Sequence, residues 1–210
     1  GCMGHLNPLT TRAMLALFEK AGIEFTFVDE DGSICCGRPL KLSGNYKAAE
    51  NLVAKNKDLI RESKAEILVT TCPICYKMFR EDYQLNIPVY HHSEYLLKLV
   101  EENKLDPGFS PLTVVFHDPC ELGRGSGIYE QPRRLIARSY SLLEADHEKK
   151  DSLCCGGSIG ITALSGENRK TLTKATIATL TFNRPEIIAT ACPLCKKTFA
   201  GEADVRVADI

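Results

Sequence analysis

Glu186-Ile187-Ile188-Ala189-Thr190-Ala191-Cys192-Pro193-Leu194-Cys195 joins a short apolar run directly to a Cys-Pro-Leu-Cys motif. The run has the length and β-branched content of a buried strand. Proline suits the first turn of a helix, where its missing N–H would have no partner in any case. The two cysteines therefore stand where a strand hands over to a helix, at the carboxyl end of the strand. In parallel α/β sheets ligands gather beyond that end. The same order occurs earlier, in Glu66-Ile67-Leu68-Val69-Thr70-Thr71-Cys72-Pro73-Ile74-Cys75. Residues 70–79 and 190–199 (TTCPICYKMF and TACPLCKKTF) agree at six of ten positions, which marks the motif as one half of a repeat.

All ten cysteines belong to that repeat. The first copy is Cys2, the adjacent pair Cys35-Cys36 followed by Gly37, then Cys72 and Cys75; the second is Cys120, Cys154-Cys155 followed by Gly156, then Cys192 and Cys195. The gaps are 32 and 35 residues in one copy and 33 and 36 in the other, so only folding can gather each set. Corresponding cysteines are offset by 118, 119 and 120 residues, leaving almost no net insertion between the halves. Between the motifs, helical periods at residues 13–21, 46–63 and 165–182 alternate with strand patterns at 24–28, 66–70 and 186–190. The expected fold is α/β, built as two pseudo-repeated lobes with mostly parallel sheets and a metal site in each lobe near the lobe interface. Prolines and a glycine within residues 103–111 place the linker there, giving a first lobe at 1–105 and a second at 112–210. A β-branched run at 112–119 leads into Cys120, whereas only Gly1 precedes Cys2. The expectation is that the sequence belongs to a longer polypeptide.

A chain of 210 residues that is 44% hydrophobic can bury a substantial core. Its 26 basic and 27 acidic residues leave a net charge of −1, which offers no footprint for nucleic acid and no polybasic patch for a membrane. No apolar run approaches the ~20 residues of a membrane span, and the N-terminus lacks the pattern of a signal peptide. These features point to a cytoplasmic protein, peripheral to a membrane only through a partner. In a reducing compartment, cysteines in such numbers argue for metal ligation or redox chemistry over a disulfide framework.

Thiolates bind zinc or iron-sulfur units. A structural zinc ion needs four ligands, and each set here offers five. Vicinal cysteines cannot easily both face one tetrahedral ion, yet they can ligate different irons of an extended cluster. Polynuclear iron is thereby favoured, with zinc as the alternative. Gly37, Gly156 and Gly157 let backbone approach the sulfurs and supply N–H donors. His117 and Asp118, beside Cys120, suit a supporting or packing role. Arg38 and Arg124 are the candidate contacts for an anionic substrate, with Arg133 and Arg134 behind them; surface or cross-lobe ion pairs are the plainer reading of all four. Residues 123–127 lack the spacing of a dinucleotide-binding loop and read as a tight turn over the second site. His91-His92 reads as part of a loop entering the next helix.

The doubled pattern, together with Phe116-His117-Asp118-Pro119-Cys120 and Ser152-Leu153-Cys154-Cys155-Gly156-Gly157, resembles the cysteine-rich CCG domain family over essentially the whole chain. That family includes the CCG-bearing and related catalytic subunits of heterodisulfide reductases. It also includes iron-sulfur subunits of anaerobic glycerol-3-phosphate dehydrogenase, glycolate oxidase and lactate utilisation systems. The resemblance implies two 4Fe-4S clusters, of noncubane type in heterodisulfide reductase relatives, one on Cys2, Cys35, Cys36, Cys72 and Cys75 and the other on Cys120, Cys154, Cys155, Cys192 and Cys195. It further implies an oxidoreductase module of a larger complex. Electrons would come from a flavoprotein or ferredoxin-type donor and leave to a small-molecule disulfide or a quinone-linked acceptor. The rival reading is a zinc-binding structural or interaction module without redox chemistry.

Overall fold

The computed structural model describes residues 7–28, 30, 34–157 and 163–210, so Cys2 lies outside the described residues. The first half runs α1 (Pro8–Lys20), α2 (Arg38–Leu42), α3 (Tyr46–Glu62), β1 (Leu68–Thr70), α4 (Pro73–Glu81), β2 (Val89–His91) and α5 (His92–Glu101). The second runs β3 (Thr113–His117), α6 (Gly123–Ser126), α7 (Glu130–Ser139), β4 (Ser141–Leu143), a 3-10 turn at Lys149–Asp151, α8 (Gly166–Leu180), β5 (Ile187–Thr190), α9 (Pro193–Ala200) and β6 (Arg206–Asp209). Local chemistry sets many of these starts. Pro8, Pro73 and Pro193 occupy first turns. The side chains of Asn45 and Ser165 accept from Ala48 N and Asn168 N, capping α3 and α8.

Among the described residues every strand pairing is parallel, as the strand-helix alternation favours. β1 and β2 form one sheet, and the second is ordered β4-β3-β5-β6. In the four-stranded sheet alternate residues face opposite layers. Val114, Phe116, Ile187 and Ala189 pack with Leu122, Ile128 and Ile136 on one side. Val115 and Ile188 pack with Leu180 of α8 and Phe199 of α9 on the other, in a layer that also holds Cys155, Cys192 and Cys195. The halves interlock. Tyr76 of α4 is buried in the first of those layers, and Leu135 of α7 joins Met14, Leu96, Leu97 and Leu99 in a layer of the first half. Among the described residues no helix is long and apolar enough to cross a membrane.

Two sequence expectations are corrected. Residues 24–28 are not a strand, and Phe25 and Val28 are each 36% exposed. Their counterpart β4 is held by pairing with β3, and β1 pairs only with β2 among the described residues. Without an adjacent strand, β propensity has no ladder to join. His91-His92 is also no loop: His91 ends β2 and caps α5 by accepting from Ser93 N while Glu94 accepts from His91 N, and His92 is the first helical residue. Both rings are fully buried, so burial and capping outweigh the polarity that suggested a loop.

Phe199 is fully buried, whereas its repeat counterpart Phe79 only lines its layer. Phe199→Ala is expected to cost ~3–5 kcal/mol and Phe79→Ala distinctly less, measured by urea unfolding; equal losses would contradict the difference in packing between the halves.

Candidate metal centre

The four-stranded sheet has a switch point. From β3 the chain leaves to β4 on one side, then crosses by α8 to β5 on the other. Loops that part in opposite directions leave a crevice at the carboxyl ends of the strands. Cys120 follows β3 and Cys192 follows β5, so the topology carries both to that crevice. Cys192 and Cys72 are the N-cap residues of α9 and α4, placing Cys195 and Cys75 in first turns. The Cys75 thiol, followed by the free N–H groups of that turn, lowers the pKa of the N-cap Cys72.

The adjacent cysteine pairs arrive by a different device. Thr176 Oγ1 donates to Cys154 O at 2.7 Å and Thr173 Oγ1 to Cys155 O at 2.9 Å, fastening that pair to α8. In the first half Asn56 Nδ2 donates to Cys35 O at 3.0 Å, and the buried Tyr83 hydroxyl donates to Cys36 O at 3.0 Å while accepting from Asn56 at 2.7 Å. Sequence reasoning missed these clamps. The one signal was positional: Asn56 and Thr176 are separated by the repeat offset of 120.

The sulfurs form two rows. In the second half Cys154 contacts Cys120 and Cys155, Cys155 contacts Cys195, and Cys195 contacts Cys192. Cys195 Sγ lies 3.1 Å from Cys155 Sγ, a hydrogen-bonding separation and far beyond a disulfide bond of ~2.05 Å. The first half repeats this with Cys35, Cys36, Cys75 and Cys72. Among the described residues no three His, Cys, Asp or Glu side chains are grouped so as to hold one metal ion.

Proton sharing follows from this spacing. Thiol donors Cys120 and Cys155 bring Cys154 down to about 2, and Cys35 and Cys75 bring Cys36 down to about 3. Cys155, donating to Cys154, is pushed up to about 12, and Cys75 and Cys195 rise for the same reason, with burial adding to it. Each row therefore holds a few thiolates stabilised by neighbouring thiols, an arrangement a multiply charged cation can replace.

Glycine geometry seats the sulfurs. Gly37 and Gly156 have φ of +93° and +82°. A Cβ on Gly156 would lie 2.5 Å from Thr173 Oγ1 and 2.8 Å from Arg169 O. Gly37 N approaches Cys35 Sγ at 3.5 Å and Gly157 N approaches Cys155 Sγ at 3.4 Å.

His117 and Asp118 brace the surroundings. His117 Nε2 donates to Leu153 O at 3.2 Å, leaving Nδ1 to accept from Thr190 Oγ1 at 3.3 Å. Burial brings its pKa down to about 4, so the ring is neutral. Asp118 accepts both arms of Arg133 at 2.6 and 2.7 Å and the Lys149 N–H at 2.7 Å. Arg124 donates to Lys150 O and Ser152 O, holding the chain just ahead of Cys154. Arg38 reaches across the halves, 3.9 Å from Glu121, and Arg134 pairs with Glu101 at the surface. Residues 123–126 form a one-turn helix. A small apolar cavity is lined by Pro73 and Ile74 from the first motif and by Cys120, Cys155, Cys192 and Cys195 from the second set.

The family model described as a cysteine-rich domain, CCG, matches residues 1–80 and 114–200. EtfAB:quinone oxidoreductase of Syntrophomonas wolfei is 32% identical over 87% of this chain and 27% of that protein. A component of the dihydromethanophenazine:CoB–CoM heterodisulfide reductase of Methanosarcina acetivorans is 29% identical over 100% of this chain and 54% of that protein. A component of the fumarate reductase (CoM/CoB) of Methanothermobacter marburgensis is 28% identical over 93% of this chain and 40% of that protein. The chain thus spans between about a quarter and about half the length of these relatives.

Two outcomes are expected at this site. Gly156→Ala unseats the Cys154-Cys155 pair and lowers stability by more than ~1 kcal/mol, while Gly44→Ala, which also has positive φ but nothing within 4 Å of the added carbon, costs only the backbone strain; thermal unfolding of both separates crowding from strain. In metal-free, reduced protein at pH 6, iodoacetamide labels Cys154 ahead of Cys155 and Cys195, because its lowered pKa leaves it as thiolate while theirs are raised. Peptide mapping reads the order, and uniform labelling would contradict the proton distribution.

Proposed function

This chain belongs to the cysteine-rich CCG domain family, and from that membership we propose that it is the iron-sulfur electron-transfer and disulfide-reducing module of a larger redox complex. The observation that carries the reading is the pair of cysteine rows, with Pro73 and Ile74 of the first motif packed against the second set. That proximity supports two centres near the lobe interface, in lobes bounded at 1–105 and 112–210.

The donor set suits the group. Its donor atoms are all cysteine sulfurs, five per copy in the sequence, with the described ones linked sulfur to sulfur in a row. Cys35, Cys36, Cys72 and Cys75, with Cys2, would hold one 4Fe-4S cluster, and Cys120, Cys154, Cys155, Cys192 and Cys195 the other. Such a group supplies one-electron storage at a potential set by its ligands, nearby N–H donors and burial. This chain's residues set those conditions. Gly37 and Gly157 aim N–H groups at sulfur, and such donors raise the potential by stabilising the more negative, reduced charge. Leu180, Ile188 and Phe199 exclude water from one side of the second set. Neutral His117 adds no formal charge beside Cys154.

The names of the relatives support a redox complex as the setting. We assign the donor to a flavoprotein or ferredoxin-type partner and the acceptor to a small disulfide or a quinone-linked carrier, in a cytoplasmic module. Arg38, partly buried and bridging the cysteine-bearing halves, is the better placed of the two candidate substrate arginines, since Arg124 is engaged on backbone carbonyls.

Anaerobically prepared protein is expected to contain about eight irons and eight acid-labile sulfides per chain. Cys155→Ser removes one component of the electron paramagnetic resonance spectrum and spares the other. Stoichiometric zinc without sulfide would overturn the redox reading. For the disulfide branch, reduced protein should be reoxidised by a low-molecular-weight disulfide well above the background of released cluster; no acceleration with several disulfides would leave electron relay alone.

A further inference from the structure

Three buried titratable side chains converge where the halves meet, outside the cysteine rows. His91 and His92 are wholly buried, with ring centroids 4.3 Å apart, and the side chain of Asp209, at the end of β6, is only 5% exposed. Hydrogen-bond partners assign the protons. His91 Nδ1 accepts from Ser93 N at 3.4 Å, so the neutral ring carries its proton on Nε2. His92 Nε2 faces Ile210 O at 3.0 Å and must donate to it, which leaves a lone pair on Nδ1. Among the described residues three atoms of this cluster are buried without a hydrogen-bond partner: the donor His91 Nε2 and the acceptors His92 Nδ1 and Asp209 Oδ1. Acceptors exceed donors, and the cluster is short of one proton.

Its place in the fold gives that deficit a use. The His91 ring stands edge-on to Tyr76, which follows Cys75, at 6.0 Å between centroids, and the carbonyl of Ala191, which precedes Cys192, acts on the same ring. The pair therefore lies between the two Cys-Pro-X-Cys turns. Outward, Asp209 Oδ1 is 3.6 Å from His92 Nε2, while Oδ2 accepts from Thr10 Oγ1 at 3.1 Å and Asn7 Nδ2 at 3.4 Å. Partly exposed Lys196 donates to Thr10 Oγ1 at 3.4 Å. A file of exchangeable groups thus leads from Lys196 to the turns. The other titratable groups around the pair are Glu94, which accepts from His91 N, and Tyr76, whose hydroxyl accepts from Arg80. Burial, with the adjacent ring adding to it, holds His91 well below the usual imidazole range. Two charges on rings this close would repel, so the pair has room for one proton.

We propose that His92, with Asp209 as its counter-charge, is a proton-holding site coupled to reduction: as an electron enters either centre, one proton from solvent settles on His92 Nδ1, and it leaves when the electron is passed on. This role presupposes the iron-sulfur centres assigned to the cysteine sets. Charge balances, since one electron from the flavin or ferredoxin-type donor is matched by one proton through Lys196, Thr10 and Asp209, and only N–H and O–H bonds form or break. Two such transfers in succession supply the two electrons and two protons that turn one disulfide into two thiols. An electron added to a low-dielectric interior is better tolerated when a positive charge accompanies it. Protonation would also make the 3.6 Å approach of His92 to Asp209 Oδ1 an ion pair, giving that orphaned acceptor a partner.

Proton uptake on reduction of the iron-loaded chain is read with a pH indicator in weakly buffered solution, beside the pH dependence of the midpoint potentials from spectroscopic redox titration. The intact chain is expected to take up about one proton near pH 7, with potentials that fall as pH rises because the reduced form binds the proton. His92→Gln retains a donor for Ile210 O but cannot hold the proton, and Asp209→Asn retains an acceptor for Thr10 without the counter-charge. Each is expected to lower uptake about fivefold or more and to flatten the potentials against pH. His147→Gln, at an exposed histidine beside Asp146, is the control and should match the intact chain. Should His92→Gln fail to fold by circular dichroism, Asp209→Asn decides. Full iron and sulfide with potentials independent of pH would overturn the proton site and leave the iron-sulfur reading standing. Uptake retained in the folded variants, as titration of His117 or ordered water at the orphaned atoms would give, would do the same. Zinc without sulfide would overturn both.

Discussion

Thiolates within hydrogen-bonding distance of one another in a low-dielectric interior cannot all carry charge, and the rest of this molecule is arranged around that constraint. Each cysteine row divides its protons, with Cys36 and Cys154 as favoured thiolates and Cys75, Cys155 and Cys195 as reluctant donors. Such a row is costly to assemble from sulfur and protons alone. A cation bound there would remove the repulsion and so link filling of the site to the stability of the fold.

Assembly of the rows draws on separate parts of the architecture. The strand-to-helix turns place Cys72, Cys75, Cys192 and Cys195 at helix N-termini, the switch point carries Cys120 and Cys192 to one crevice, and hydroxyl and amide clamps fasten the adjacent pairs. The buried Asp118–Arg133 pair keeps the turn after β3 fixed to α7, and Glu148 extends it toward the 3-10 turn. A buried pair of this kind contributes little net stability, yet leaving either charge alone would be expensive, so it specifies one arrangement of these loops.

The halves are alike in plan and unlike in completeness. Interlocking through Tyr76 and through the packing of Leu135 against α5 couples them into one body. Among the described residues the first half has a two-stranded sheet and the second a four-stranded one. The clamps on the adjacent cysteine pairs also differ: Asn56 with Tyr83 does in one half what Thr173 and Thr176 do in the other.

From the sequence alone came the duplication, the ten cysteines as two sets, the α/β class and the helix starts at Pro73 and Pro193, because each is written in local order: a β-branched run, a proline, a fixed offset. Tertiary structure decided what depends on a neighbour. Residues 24–28 have the composition of a strand but pair with no strand among the described residues, His91-His92 is polar yet buried as a helix cap, and Arg124 serves backbone carbonyls. The order of sulfurs within each row was likewise invisible, since gaps of 32 to 36 residues carry no information about which thiols meet. Strand pairing, burial and sulfur contact are relations between distant segments, and only the packed chain brings those segments together.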